Sequence, residues 1–139
     1  MSVRFLDTNI LLRYLLRDDE AKARAAFALL ARVEQGEEKV ETSPLVIFET
    51  IFTLQKRYRV PREEIQQALS DILSLRGLSL PNKSIYECAL ELYTRQNISF
   101  ADAYNAAYMA ARGLSEIYSF DRDFDKLEGI ARVEPAEKP

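Results

Sequence analysis

The sequence predicts a single α/β domain with a mainly parallel β-sheet. Short apolar segments typical of strands alternate with longer segments whose apolar residues recur every three or four positions, as in helices. The chain of 139 residues has no linker or low-complexity segment and is long enough for one domain with its own core. This alternation favours parallel strands joined by right-handed crossovers. We therefore expect one domain over residues 1–139.

The first half of the chain alternates two short strands with longer helices. Residues 3–6 (VRFL) predict a strand that leads into a helix from about Thr8 to Arg17. A second helix ends at Gly36, residues 39–43 (KVETS) form the next strand, and Pro44 begins a third helix. The apolar face of this third helix is expected to contain Leu45, Phe48, Ile51 and Phe52.

The second half repeats the pattern. A helix begins at Pro61 and is closed by Gly77, and residues 78–80 form a weak strand. The apolar residues of this helix lie at helical spacing: Ile65, Leu69, Ile72 and Leu73. The remaining elements are expected over four segments, with helices at residues 83–96 and 99–113 and strands at residues 115–120 and 130–134.

The composition restricts the chemistry that is available. The chain has no histidine, which excludes Ser-His-Asp and Cys-His triads, histidine zinc sites and the paired-histidine route to RNA cleavage. A net charge of -3 argues mildly against nucleic-acid binding by the whole chain, although a local patch or bound cations could recruit phosphate. The single cysteine, Cys88, is expected to fill core space. Without a signal peptide or a long apolar span, we expect a cytoplasmic protein.

Three acids are expected to meet near the carboxyl ends of the strands. Asp7 follows the first strand directly and Asp121 follows the fourth. In open α/β sheets the ligand crevice lies beyond these strand ends. Asp102 lies near the start of the helix that leads through Gly113 into the fourth strand. This helix should run antiparallel to the strand and roughly match it in length, so Asp102 should lie near the end of the strand, where Asp121 is.

A fourth acid, Glu49, lies about a turn and a half into the third helix, with no basic residue three or four positions away. An acid on the edge of an apolar helical face costs free energy unless something compensates it. Structural explanations also exist, since Asp7 or Thr8 could cap the first helix and Ser99 with Asp102 resembles a capping box. Four carboxylates on one rim would repel one another without a cation, so the set predicts a Mg²⁺ or Mn²⁺ site.

Four segments, in this order, resemble PIN-domain ribonucleases, most closely the toxins of VapBC toxin-antitoxin pairs: FLDTNILLRYLLRDD, the Glu of PLVIFET, ISFADAYNAA and YSFDRDFDKLEG. The match runs from about Val3 to Gly129. The resemblance implies a three-layer α/β/α fold, PIN-like, with a five-stranded parallel sheet in the order 3-2-1-4-5. It also implies an endoribonuclease that depends on Mg²⁺ or Mn²⁺ and cleaves RNA phosphodiesters with an activated water.

The resemblance also assigns roles to residues of this chain. The family's acidic quartet, whose members are both catalytic residues and metal ligands, falls on Asp7, Glu49, Asp102 and Asp121. Supporting positions fall on Asn9, which would orient the acids, on Ser119, two residues before the last acid, and on Asp123, an additional acid of some members.

The resemblance implies three partners: an RNA substrate, a second copy of the chain in a homodimer, and a small VapB-type antitoxin whose C-terminal segment lies over the groove. Arg13, Arg17 and Lys56 are candidates for contact with RNA, although solvated helix faces explain them as well. Residues 9–16 (NILLRYLL) and 45–54 (LVIFETIFTL) carry more apolar surface than one sheet face needs. We expect another chain to cover part of it.

Two other classes of function remain open from the sequence. A phosphoacceptor domain, either a receiver or a haloacid-dehalogenase-like phosphatase, also places an acid after a strand. The phosphatase needs a second Asp where this chain has Asn9, and a receiver needs an acceptor after the third strand, where LSLPN offers none. The other alternative is a catalytically inactive RNA- or protein-binding module. The complete acidic set argues against it, and a metal-dependent nuclease assay separates the two.

Overall fold

The computed structural model describes residues 2–138 and confirms the predicted alternation of strands and helices. The strands are β1 (Arg4–Phe5), β2 (Val40–Glu41), β3 (Leu78–Ser79), β4 (Glu116–Tyr118) and β5 (Ala131–Val133). The helices are α1 (Thr8–Leu16), α2 (Glu20–Gln35), α3 (Pro44–Phe52), α4 (Arg62–Leu73), α5 (Lys83–Gln96) and α6 (Phe100–Arg112). A π-helical turn (Thr53–Arg57) extends α3, and a 3-10 turn (Arg122–Lys126) follows β4.

All strand pairs among residues 2–138 are parallel, as predicted. β2 lies between β1 and β3 in a three-stranded sheet, and β4 pairs with β5 in a two-stranded sheet. These two sheets correspond to the two halves of the implied order 3-2-1-4-5. Their union in one five-stranded sheet stays a prediction.

The chain divides into two compact units, Met1–Lys83 and Ser84–Pro139. In the first, α4 buries the four apolar residues predicted for it, Ile65, Leu69, Ile72 and Leu73. In the second, the buried ring of Tyr93 packs edge-on against Phe100 with the ring centroids 5.8 Å apart. Each unit therefore has buried apolar side chains of its own. A single domain over residues 1–139 remains the prediction. Within residues 2–138, no helix has the length and apolar character needed to cross a bilayer.

The buried face of helix α3 shares Ile51 with the predicted one but is otherwise different. Leu45 and Phe52 are 77% and 65% exposed. The buried residues are Val46, Ile47, Thr50 and Ile51. Because nearly every residue of PLVIFETIF is apolar, the helical period could not select one face. Glu49 is exposed, so the burial cost expected for its carboxylate does not arise.

The prediction that Cys88 fills the core was wrong, because its side chain is exposed. The buried side of α5 is formed by Ile85, Tyr86, Ala89, Leu90 and Tyr93. Two tyrosines therefore take the positions that face the core. The apolar spacing of the sequence did not single them out, because tyrosine is often only partly buried.

Gly77 does not close α4, which ends at Leu73 with Ser74 as its C-cap. Instead, Gly77 lies where the chain passes close to the residues before β2. Its N–H donates to the Val33 carbonyl at 3.0 Å, and its own carbonyl accepts from Val40 N–H at 2.9 Å. A Cβ at position 77 would lie 2.9 Å from the Val33 carbonyl oxygen and would overlap a second backbone carbonyl, that of Glu38. Only glycine fits without a backbone shift.

We expect Gly77→Ala to lower the free energy of unfolding by about 2–3 kcal/mol, because the added methyl overlaps rigid backbone. Gly113→Ala is the matched control, since Gly113 has φ 72° and nothing within 4 Å of an added Cβ. It should cost about 1 kcal/mol for the left-handed conformation alone. Urea unfolding measures both values. Equal losses in the two variants would contradict the close approach at Gly77.

Candidate metal centre

Three carboxylates meet beside the 3-10 turn that follows β4. Carboxylate oxygens of Asp102, Asp121 and Asp123 all lie within 4.8 Å of one another. Asp102 lies in the first turn of α6, and Asp121 is the N-cap residue of the 3-10 turn. The prediction that the start of α6 brings Asp102 close to Asp121 is therefore confirmed. Asp123 lies close to both.

Hydrogen bonds fix the backbone that carries these acids. The Ser119 hydroxyl accepts a bond from Asp121 N–H at 2.9 Å, and the Asp121 carboxylate accepts one from Asp123 N–H at 2.9 Å. On α6, the Ser99 hydroxyl caps the helix by accepting from Asp102 N–H at 3.1 Å. A carboxylate oxygen of Asp123 lies 3.2 Å from Nζ of Lys126. Ser119 is thus placed to hold the chain at Asp121.

The pKa of Asp102 is raised above its ordinary value. Burial of the carboxyl group is the largest cause, followed by the negative charge of Asp121. A hydrogen bond between these two carboxyl groups and the charge of Asp123 act in the same direction, whereas a hydrogen bond with Ser99 opposes them. The cluster therefore holds more negative charge than it can stabilise alone. Three crowded carboxylates fit a hard divalent cation, which prefers oxygen ligands and would relieve this repulsion.

This raised pKa predicts the pH dependence of stability. Because the folded protein binds the Asp102 proton more tightly than the unfolded chain, the free energy of unfolding should fall as pH rises above the ordinary value of 3.8 and through the raised pKa. Asp102→Asn has no carboxyl group to titrate at this position, so this fall in the free energy of unfolding should be absent. In EDTA, the variant should therefore be at least as stable as the wild type at pH 7, and its advantage should shrink as the pH is lowered toward 3.8.

Urea unfolding of both proteins across a pH series measures the effect. Glu87→Gln, which replaces an exposed acid on α5, is the control and should show no such trend. A variant that is less stable than the wild type at pH 7, with a difference that shrinks at low pH, would mean that the Asp102 charge serves the first turn of α6.

The remaining predicted residues lie in the unit Met1–Lys83. Asp7 is the N-cap residue of α1, yet its side chain accepts no capping hydrogen bond. The capping explanation for Asp7 is therefore not supported. Asn9 and Glu49 are exposed on α1 and α3, and within residues 2–138 neither Asp7 nor Glu49 makes an ion pair. A single site containing all four acids stays a prediction.

Sequence analysis missed Arg132 as a residue of this region. An arginine inside a short predicted strand is usually a solvent-facing residue, and no local pattern distinguishes this one. In the structure only 10% of its side chain is exposed, and it contacts the segment that carries Asp121 and Asp123. Its partners in that segment are Asp125 and Ser119, which lie 7 and 13 residues before it in the sequence.

Comparison with known proteins identifies the family. The family model described as PIN domain matches residues 4–130. The chain belongs to the PIN-domain family. The resemblance drawn from four sequence segments is therefore confirmed, together with the α/β fold class that it implied.

Relatives within the family match over almost their whole length. Ribonuclease VapC13 of Mycobacterium tuberculosis is 32% identical over 130 residues, which cover 92% of this chain and 97% of that protein. A VapC ribonuclease of Aquifex aeolicus is 29% identical over 136 residues, covering 98% and 99%. The crystal structure of M. tuberculosis VapC20, described as a toxin that cleaves the sarcin-ricin loop, matches with 27% identity and a TM-score of 0.41, over 96% of this chain and 100% of that one.

Proposed function

We propose that this protein is a divalent-metal-dependent endoribonuclease and the toxin of a toxin-antitoxin pair. Its match to VapC ribonucleases over 92% or more of its length supports the activity and the biological role. The observation that carries the metal dependence is the cluster of Asp102, Asp121 and Asp123. A chain without histidine must cleave RNA by another route, and clustered carboxylates supply one.

The carboxylates explain how the site would work. A divalent cation held there, Mg²⁺ or Mn²⁺, would polarise the scissile phosphate and make an attacking water more acidic. Asp102 and Asp121 are the proposed ligands, with Asp123 in support, and a bound cation would offset the neighbouring negative charge that helps to raise the pKa of Asp102. Ser119 and Ser99 hold the backbone of these acids in place.

Residues of the first unit complete the proposed catalytic set. Asp7 and Glu49 are proposed as further catalytic carboxylates and metal ligands, with Asn9 supporting them. Both acids are exposed and without ion pairs within residues 2–138, so their charges are free to serve a ligand. An acid that pairs with no cation of its own chain gains most when a bound cation arrives.

The substrate is RNA, and basic residues away from the acids should help to hold it. Arg13 is paired with Asp18 at 2.9 Å, and the Arg17 guanidinium lies over the Phe27 ring. Lys56 is exposed and has no ion pair among the described residues, which makes it the best of the three predicted contacts.

The proposed protein partners are a VapB-type antitoxin and a second copy of the chain. Leu45 and Phe52, exposed on α3, supply apolar surface that a partner would cover. The proposal places the protein in the cytoplasm, where it would meet both RNA and a newly made antitoxin. A protein that is monomeric at micromolar concentration, and that leaves growth unchanged when produced alone, would contradict the partner proposal.

The activity is tested by incubating the purified protein with total RNA, with Mg²⁺ or with EDTA, and mapping the 5′ ends that appear. We expect new 5′ ends at a few defined positions in Mg²⁺ and none in EDTA. Glu87→Gln should cut as the wild type does, because it lies outside the proposed site. Intact RNA in Mg²⁺ would favour the inactive binding module instead, and identical cutting in EDTA would exclude the metal.

A further inference from the structure

Arg132 connects strand β5 to the segment that carries two of the clustered acids. Its guanidinium donates to the carboxylate of Asp125 through Nε at 3.0 Å and Nη2 at 3.4 Å. Nη1 donates to the Ser119 carbonyl at 3.1 Å and to the Glu134 carboxylate at 2.6 Å. One side chain therefore joins the 3-10 turn, the end of β4 and the end of β5.

These contacts bracket the metal-binding acids along the chain. Asp121 and Asp123 lie between Ser119 and Asp125, the two residues that Arg132 holds from opposite ends of the segment. The two-point contact with Asp125 fixes direction as well as distance, since a guanidinium and a carboxylate are both planar. The Arg132 side chain is 10% exposed, whereas its carboxylate partners Asp125 and Glu134 are about half exposed.

We propose that Arg132 is a positioning residue of the metal centre, which clamps both ends of the segment 119–125 so that Asp121 and Asp123 keep the spacing a divalent cation requires. This inference rests on the metal centre of the proposed function. Arg132 touches neither the cation nor the RNA in this role. Residues that orient metal ligands typically change metal affinity about 10- to 100-fold when they are replaced.

Positioning by Arg132 and the charge of Arg132 predict opposite changes in metal affinity when this residue is replaced. Arg132→Gln removes a positive charge near an acidic cluster, which by Coulomb's law should tighten the binding of a cation. If Arg132 positions the acids, the same replacement should weaken binding, and we expect the Kd for Mn²⁺ to rise roughly tenfold. Arg132→Lys keeps the charge but loses the two-point contact, so it should weaken binding as well.

Two further variants separate positioning from general support of the fold. Asp125→Asn breaks the charged contact within the clamped segment, whereas Glu134→Gln breaks the shorter contact on the other side of Arg132. Both acids are about half exposed, with side chains 51% and 50% accessible, so both variants should fold. We expect Asp125→Asn to raise the Kd for Mn²⁺ several-fold and Glu134→Gln to change it less than twofold.

The experiment is a Mn²⁺ titration of each full-length variant, followed by the electron paramagnetic resonance signal of free Mn²⁺, with melting in EDTA as the check on folding. The double variant Arg132→Gln/Asp125→Asn should bind Mn²⁺ no more weakly than Arg132→Gln alone, because both changes remove one contact. Tighter binding by Arg132→Gln, or equal effects of Asp125→Asn and Glu134→Gln, would overturn the proposal. If Asp121→Asn binds Mn²⁺ as tightly as the wild type, the proposed metal centre is wrong. If Asp121→Asn binds more weakly but Asp125→Asn binds as tightly as the wild type, only the positioning role of Arg132 is wrong.

Discussion

Asp121→Asn is expected to reduce RNA cleavage on the order of a thousandfold without weakening the metal-free fold. The variant would lose the negative charge of a proposed metal ligand, and about 4 kcal/mol of transition-state stabilisation corresponds to that loss of rate. The amide oxygen of Asn can still accept the hydrogen bond from Asp123 N–H, so the 3-10 turn should persist. Removing the charge beside Asp102 also relieves repulsion, so the variant in EDTA should melt at the wild-type temperature or above it.

Cleavage rates in Mg²⁺ and melting in EDTA give the two results together. Asp71→Asn is the matched control, because Asp71 is an exposed residue of α4 whose carboxylate also accepts one hydrogen bond, from the Gln67 side chain. It should leave cleavage unchanged. Wild-type cleavage by Asp121→Asn would remove Asp121 from the mechanism, whereas a large fall in melting temperature would show that the residue serves the fold.

Asp7→Asn is expected to abolish most of the cleavage activity while leaving the free energy of unfolding almost unchanged. The Asp7 side chain makes no capping bond to α1, and Asn is as good a residue at the N-cap position as Asp. Nothing in the metal-free fold should therefore depend on the Asp7 charge. We expect a fall of at least about a hundredfold in kcat/KM, since a carboxylate ligand would be lost from the reaction.

Ser43→Ala provides the contrasting variant for this prediction. The Ser43 hydroxyl does cap a helix, since it accepts a hydrogen bond from Val46 N–H at the start of α3. Its loss should cost about 1 kcal/mol of stability and leave the cleavage rate unchanged. If Asp7→Asn cleaves RNA as the wild type does, then Asp7 serves only to start its helix, a role that Asn fills equally well.

Much of the fold follows from patterns that depend on near neighbours in the chain. The apolar spacing in α4 predicted its buried residues because polar residues separate them, and Gly36 and Gly113 marked helix ends that the structure confirms. The buried face of α3 could not be predicted in this way, because its sequence is apolar almost all round. At Gly77, an approach to Glu38 and Val33 requires the glycine, and such long-range contacts leave no local pattern.

The candidate site could likewise be predicted only where its residues follow from patterns local in the chain. The matching lengths of the predicted helix (residues 99–113) and the predicted strand (residues 115–120) led us to expect Asp102 close to Asp121, which the structure confirms although β4 itself spans only Glu116–Tyr118. Asp123 entered only through the resemblance to PIN-domain ribonucleases. Arg132 was missed because its role depends on Ser119 and Asp125, which approach it only after the chain has turned back into β5.

The central claim is that Asp102, Asp121 and Asp123 bind a divalent cation that RNA cleavage requires. The most direct test is thermal melting of the wild type and Asp121→Asn, each with EDTA and with excess Mg²⁺, alongside RNA cleavage by the same samples. At a Mg²⁺ concentration ten times Kd, the wild type should gain about 1.4 kcal/mol and Asp121→Asn distinctly less, with cleavage only by the wild type in Mg²⁺. Equal gains in the two proteins, together with retained cleavage by Asp121→Asn, would contradict the account.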